Sequence, residues 1–90
     1  MPRKRELHHI LDVDLRLVRW PKQDGLRQAA LAYLATKFQP DHQYSEPAVN
    51  ALLKRWHNFG DPALLRRELF DRGFLDRTRD GRAYWVAAPG

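Results

Sequence analysis

Acid–base and metal chemistry need histidines, carboxylates or hydroxyls in fixed company, and the four histidines of this chain have little of it. His8 and His9 are adjacent and point in different directions on either a helix or a strand, and neither His42 nor His57 has a second histidine three or four residues away. Asp12 and Asp14 share a face only if their segment is extended. There is no cysteine, no glycine-rich phosphate loop and no Gly-x-Ser-x-Gly elbow, and Ser45 is accounted for as a helix cap. The expectation is a non-enzyme with no catalytic residue, no metal site and no cofactor. The side chains with a chemistry to offer are arginines: Arg66, Arg67, Arg77, Arg79 and Arg82. A guanidinium presents a rigid fork of donors that matches phosphate and the guanine edge, so these five are the candidate DNA-binding residues.

The charge balance supports an acidic partner without fixing one. Sixteen Lys and Arg stand against eleven Asp and Glu in 90 residues, but the excess is spread out: residues 61–90 carry six basic and five acidic groups. The basic start, Met1 to Arg5, reads either as a frayed terminus or as a minor-groove arm. No apolar run approaches a signal-peptide core or a membrane span, which, with the absence of cysteine, makes the cytoplasm the default compartment and a membrane partner unexpected. Ninety residues hold one small core. The division expected is an N-terminal extension over 1–14, with a short helix in Glu6–Val13, and a single domain over 15–88.

The elements that must position the arginines are legible in Asp61 to Val86. Asp61 is a good N-cap, Pro62 suits the first helical position, and Gly73 follows the last turn as a left-handed C-cap would, so the spacing predicts a helix over 61–72. Leu65 and Leu69 form its inward stripe. Ala63, Arg67, Phe70 and Asp71 point away, and Arg66 lies at one flank. Asp80-Gly81 between two strand-like runs predicts a hairpin in which Arg79 faces Arg82, Arg77 faces Tyr84 and Leu75 faces Val86.

Upstream, Leu15 to Trp20 reads as a short edge strand closed by Pro21, with Trp20 packing under the next helix. Asp24 is a plausible cap for a helix of about fourteen residues carrying Leu26, Ala30, Tyr33, Leu34 and Phe38 on one face. Gln39 to Gln43 is a turn. Ser45 caps a second amphipathic helix, Glu46 to His57, with Val49, Leu52, Leu53 and Trp56 inward, and Asn58–Gly60 gives the spacing of a helix-turn-helix. The expected core is Leu34, Phe38, Val49, Leu52, Leu53, Leu65, Leu69, Leu75, Tyr84 and Val86. The fold class is α+β: a small winged helix-turn-helix-like domain with three main helices, a C-terminal hairpin wing and a short N-terminal strand.

Tyr44-Ser45-Glu46, Val49-Asn50, Asp61, the run Leu65-Arg66-Arg67-Glu68-Leu69, Gly73, Arg77 and the ending Gly81-x-x-Tyr84-Trp85 resemble a bacterial domain family of unknown function. That family occurs alone and as an appendage to ArsR-type transcriptional regulators, and the resemblance spans about residues 15 to 86. It implies a transcription-related setting and assigns no residue a role.

Two functions are expected on these grounds. In the first, helix 61–72 and the 77–82 wing bind double-stranded DNA: Arg66, Arg79 and Arg82 hold the backbone and Arg67 reads bases. Glu68 and Asp71 oppose it by repelling phosphate, and Arg66 and Arg67 could instead pair with Glu68, Asp71 or Asp61. Arg77 opposite Tyr84 reads as a cation–π or stem-packing contact. In the second, the same fold is a protein-interaction module for a partner or a homodimer, anchored by Trp56, Phe59, Phe70 or Trp85. An exposed Phe70 would suit a protein interface better than DNA.

Overall fold

The computed structural model describes residues 7–87. A 3-10 turn at His8–Ile10 is followed by three helices, α1 (Asp24–Ala35), α2 (Glu46–Trp56) and α3 (Pro62–Asp71), then by an antiparallel hairpin of β1 (Leu75–Arg77) and β2 (Tyr84–Val86). This is an α+β layout compatible with a winged helix. The basic start at Met1 to Arg5 lies outside the described residues.

The C-terminal half forms where its local signals place it. Ser45 Oγ accepts from the Ala48 N–H at 3.2 Å and Asp61 Oδ1 from the Leu64 N–H at 3.2 Å, so both expected caps satisfy donors that the helices leave open. The chain leaves α3 through Gly73 at φ +83°, and the Phe74 N–H closes the helix end on the Leu69 carbonyl at 2.8 Å. The hairpin register matches the expected one, with Leu75 opposite Val86 and Arg77 opposite Tyr84. Its turn is wider than two residues: the last inter-strand bond runs from the Thr78 N–H to the Ala83 carbonyl, and Gly81 (φ +73°) donates back to the Thr78 carbonyl. Arg79 and Arg82 therefore sit within the loop and are not a facing pair.

The upstream half departs from the local reading. No strand forms over Leu15 to Trp20. Leu17 alone makes single bridges: to His57, because its N–H bonds the Trp56 carbonyl and its carbonyl accepts from the Asn58 N–H, and to Leu11, because the Asp12 N–H bonds the Arg16 carbonyl and the Val18 N–H the Ile10 carbonyl, each at 2.9 Å. The hairpin gains its third partner elsewhere: Tyr44 and Tyr84 exchange both backbone hydrogen bonds at 2.8 Å, closing the open edge of β2. Asp24 opens α1 without capping it, since Gln23 holds the cap position and makes no side-chain bond there. α1 stops at Ala35, three successive i to i+3 bonds bring Phe38 back into the core, and the helix is shorter than the hydrophobic spacing suggests.

The core contains Leu34, Phe38, Val49, Leu53, Leu65, Leu69, Leu75 and Tyr84 as expected, with Leu52 and Val86 only partly buried beside it. It also takes in Leu7, Ile10, Leu17, Ala29, Ala30 and Leu31. The two alanines let α1 bury a wider arc than its large residues mark out, and they allow the helices to approach closely. Trp20 packs at the edge of this core with the Arg27 guanidinium 5.2 Å above its ring. No helix among the described residues is long and apolar enough to cross a membrane.

Candidate functional site

The five candidate arginines have different fates. Arg66 is drawn partly out of solvent by α2: one of its terminal nitrogens donates to Asn50 Oδ1 and the other lies 3.4 Å from Glu46, leaving the side chain 17% exposed. Its partners are neither Glu68, Asp71 nor Asp61. It is a clamp between α2 and α3, and it fixes the angle at which α3 presents its outer face. The charge on Arg72 is spent in a similar way, on Asp24 at 2.9 Å and Glu68 at 3.5 Å, which ties the end of α3 to the start of α1.

Arg67 is exposed and makes no ion pair among the described residues. Arg77 stacks its guanidinium on Phe70, with Cζ 4.3 Å from the ring centroid, so the cation–π contact expected of it is made with α3 and not with Tyr84. That stack half-buries Phe70 and removes it as a free aromatic anchor. Between α3 and the hairpin these groups enclose a cleft of about 260 Å³ lined by Arg66, Arg67, Phe70, Asp71, Arg77 and Tyr84. Three guanidinium groups against one carboxylate give it a positive lining.

The hairpin tip carries the other two. Arg79 is exposed. Arg82 lies 3.4 Å from Asp80, an acidic partner within the same loop. Asp80 also organises the loop: its Oδ1 accepts from the Thr78 hydroxyl at 2.7 Å and from the Arg82 N–H at 3.0 Å. The Thr78 hydroxyl first, and the Arg82 N–H second, hold the Asp80 carboxyl below the usual carboxylate range. The tip is thus an ordered loop that displays Arg79 and Arg82.

Two features of the region were not legible from residue spacing. His57 is buried at the end of α2, where its Nδ1 bonds the Leu53 carbonyl and its Nε2 accepts from the Asp61 N–H at 3.0 Å. A carbonyl can only accept and an N–H can only donate, so the hydrogen sits on Nδ1. His57 is a structural joint between α2 and the start of α3. The second feature is Asn50, whose pairing with Arg66 joins residues on separate helices. Its only sequence trace was its place in the family pattern.

The remaining aromatic candidates are partly buried. Trp56 lies under the Lys37 ammonium at 4.1 Å, Phe59 packs edge-on to His57 at 4.7 Å, and Trp85 is half-buried. The large hydrophobic side chains that are exposed are Val13, at 94%, and Leu15, at 54%. Both border an apolar cleft with Leu11 and Tyr33, away from the arginines.

A family model described as an uncharacterized protein conserved in bacteria (DUF2087) matches residues 16–86. No curated protein and no solved structure matches the chain.

Proposed function

The chain belongs to this uncharacterized bacterial family, and from that premise and the geometry of α3 we propose a non-enzymatic DNA-binding module that acts in transcription regulation. The observation that carries the reading is the division of labour among the arginines. Arg66 is fixed against Glu46 and Asn50 and sets α3, whereas Arg67 on α3 and Arg77 on the hairpin line one cleft, and Arg79 and Arg82 are exposed at the hairpin tip, Arg82 beside Asp80. A helix face and a wing tip bearing cations are what a groove and its flanking phosphates would meet. In this reading Arg67 reaches the groove, Arg79 and Arg82 hold the backbone, and the setting is the one the sequence resemblance implies, a family that occurs alone and appended to ArsR-type regulators.

The test is fluorescence anisotropy of a labelled mixed-sequence duplex at a series of salt concentrations. The expected result is micromolar binding that weakens steeply with salt, and the double variant Arg79→Ala, Arg82→Ala should flatten the slope of log K against log salt by about two. An unchanged slope removes the wing from the interface. Absence of binding at low salt overturns the DNA reading and favours the second one, a protein-interaction module. A specific observation stands behind that alternative too: Val13 and Leu15 present apolar surface beside Leu11 and Tyr33 on another part of the domain.

A further inference from the structure

Tyr84 is 2% exposed, yet its hydroxyl makes no hydrogen bond among the described residues. No buried side-chain oxygen or nitrogen of the described residues lacks a partner, so the hydroxyl must be the accessible tip of an otherwise buried ring. That tip opens into the cleft between α3 and the hairpin. The hydroxyl is a donor held in place by the buried ring and open to a group outside the protein.

The other walls of the cleft suit an anion. Arg77 is immobilised by its stack on Phe70, which orients the edge of its guanidinium fork and lowers the entropy lost on binding. Gly81 lies beside it: a Cβ there would be in ordinary contact, 3.7 Å from Arg77 Nη1 and 3.9 Å from the Tyr84 hydroxyl, so the three meet at the cleft rim. Arg67 approaches from α3 with no ion-pair partner, and Arg66 closes the back while engaged with Asn50 and Glu46. Asp71 is the one opposing carboxylate in the lining. A cleft of about 260 Å³ accommodates one small group and not a nucleobase with its sugar and phosphate together.

We infer that this cleft is a site for a single tetrahedral oxyanion of the phosphate class, held by the Arg77 and Arg67 guanidinium groups and by a hydrogen bond donated from the Tyr84 hydroxyl. The inference deepens the DNA reading by naming the phosphate contact next to α3, but the cleft would also take a free phosphate or the phosphate of a small ligand. These sources share the same chemistry and differ in their effect on α3. A backbone phosphate would anchor α3 in its groove, whereas a free phosphate would compete with that anchoring.

The experiment is a titration of the full chain with inorganic phosphate at constant ionic strength, followed by ¹⁵N–¹H NMR at the Arg67 and Arg77 Nε–H signals and the Gly81 amide. The expected result is a saturating shift of these signals, reproduced by phosphate and not by chloride. Tyr84→Phe keeps the buried ring and removes only the donor, so it should weaken phosphate binding by about tenfold while leaving the thermal midpoint nearly unchanged. Arg77→Gln should weaken it by at least as much. If Tyr84→Phe lowers affinity for phosphate and for duplex alike, the site holds the DNA backbone; if it lowers only the former, the site holds a free phosphate group. Either result supports the assignment. Non-saturating shifts, or an affinity indifferent to Tyr84→Phe in a folded variant, overturn it. Because the phosphate titration needs no duplex, the cleft can hold even if the protein does not bind DNA.

Discussion

The segment before α1 and the segment from α2 to the end of the hairpin are ordered by different physics. From Ser45 onward each element carries its own boundary signals: a hydroxyl or carboxylate cap, a proline in the first turn, a left-handed glycine, an Asp-Gly turn. Residues 7–20 have almost none of these. Their order comes from one carboxylate and from the buried side chains of Leu7, Ile10 and Leu17. Asp12 accepts from the backbone N–H groups of Asp14 and Arg16, from the Arg16 guanidinium and from Asn58, which lies far away in the chain. Leu17 is fully buried and pairs through its backbone with the end of α2. The difference teaches that a segment without regular secondary structure can still be part of the core when long-range bonds replace the local ones. It also explains how Leu15 can hold φ +63°, a conformation that costs a branched side chain about 1 kcal/mol or more. The Leu15 N–H donates to the Asp12 carbonyl and its own carbonyl accepts from the Tyr33 hydroxyl at 2.7 Å.

The largest expected effect tests whether the irregular segment belongs to the core. Leu17→Ala empties a fully buried site and should cost about 2–5 kcal/mol, as large as the loss for a helical core leucine such as Leu65. In thermal unfolding this is a fall of roughly 10 °C or more in the midpoint for a domain of this size. A loss under about 1 kcal/mol would show the segment to be an appendage.

A smaller effect concerns acid. The backbone N–H of Arg16 foremost, with the Arg16 guanidinium and the Asp14 N–H adding to it against partial desolvation, holds the Asp12 carboxyl below the usual carboxylate range. A depressed native pKa means that the unfolded chain binds the proton more readily, so the stabilisation is present above the unfolded value and is lost as pH falls through the native one. Asp12→Asn should be less stable than the parent at neutral pH, and the gap should narrow as the pH is lowered into the acid range. A gap independent of pH would mean that the ionised carboxylate is not what orders the loop.

Gly73→Ala sharpens the other side of the comparison. Nothing lies within 4 Å of where its Cβ would be, so the cost is that of φ +83° alone, about 1 kcal/mol, or roughly 4–8 °C in the midpoint. Residue 73 is thus governed by backbone conformation and Leu17 by burial, and the two variants should rank accordingly. A loss at Gly73 as large as that at Leu17 would mean that the helix end makes contacts the C-cap geometry does not account for.

For the candidate site, the sequence located the arginines but not their allegiances. That Arg77 stacks on Phe70, that Arg66 is consumed by Asn50 and Glu46, and that the Tyr84 hydroxyl is left without a partner all depend on the distance between α3 and its neighbours. No periodicity within one element contains that distance.

What the sequence by itself determined is local: α2 and α3 with their caps, the glycine stop at Gly73, the hairpin register from Leu75–Val86 to Arg77–Tyr84, and the inward leucines. Each comes from backbone groups that must be bonded within a few residues and from side-chain periods of 3.6 and 2. The tertiary structure decided which backbone serves as third partner to the hairpin, Tyr44 in place of a strand at 15–20. It also decided that Leu7, Ile10 and Leu17 enter the core, and which arginines remain outward. Those outcomes depend on loop closures and on charge partners brought together from distant positions, and such pairings are set only once the helices have packed.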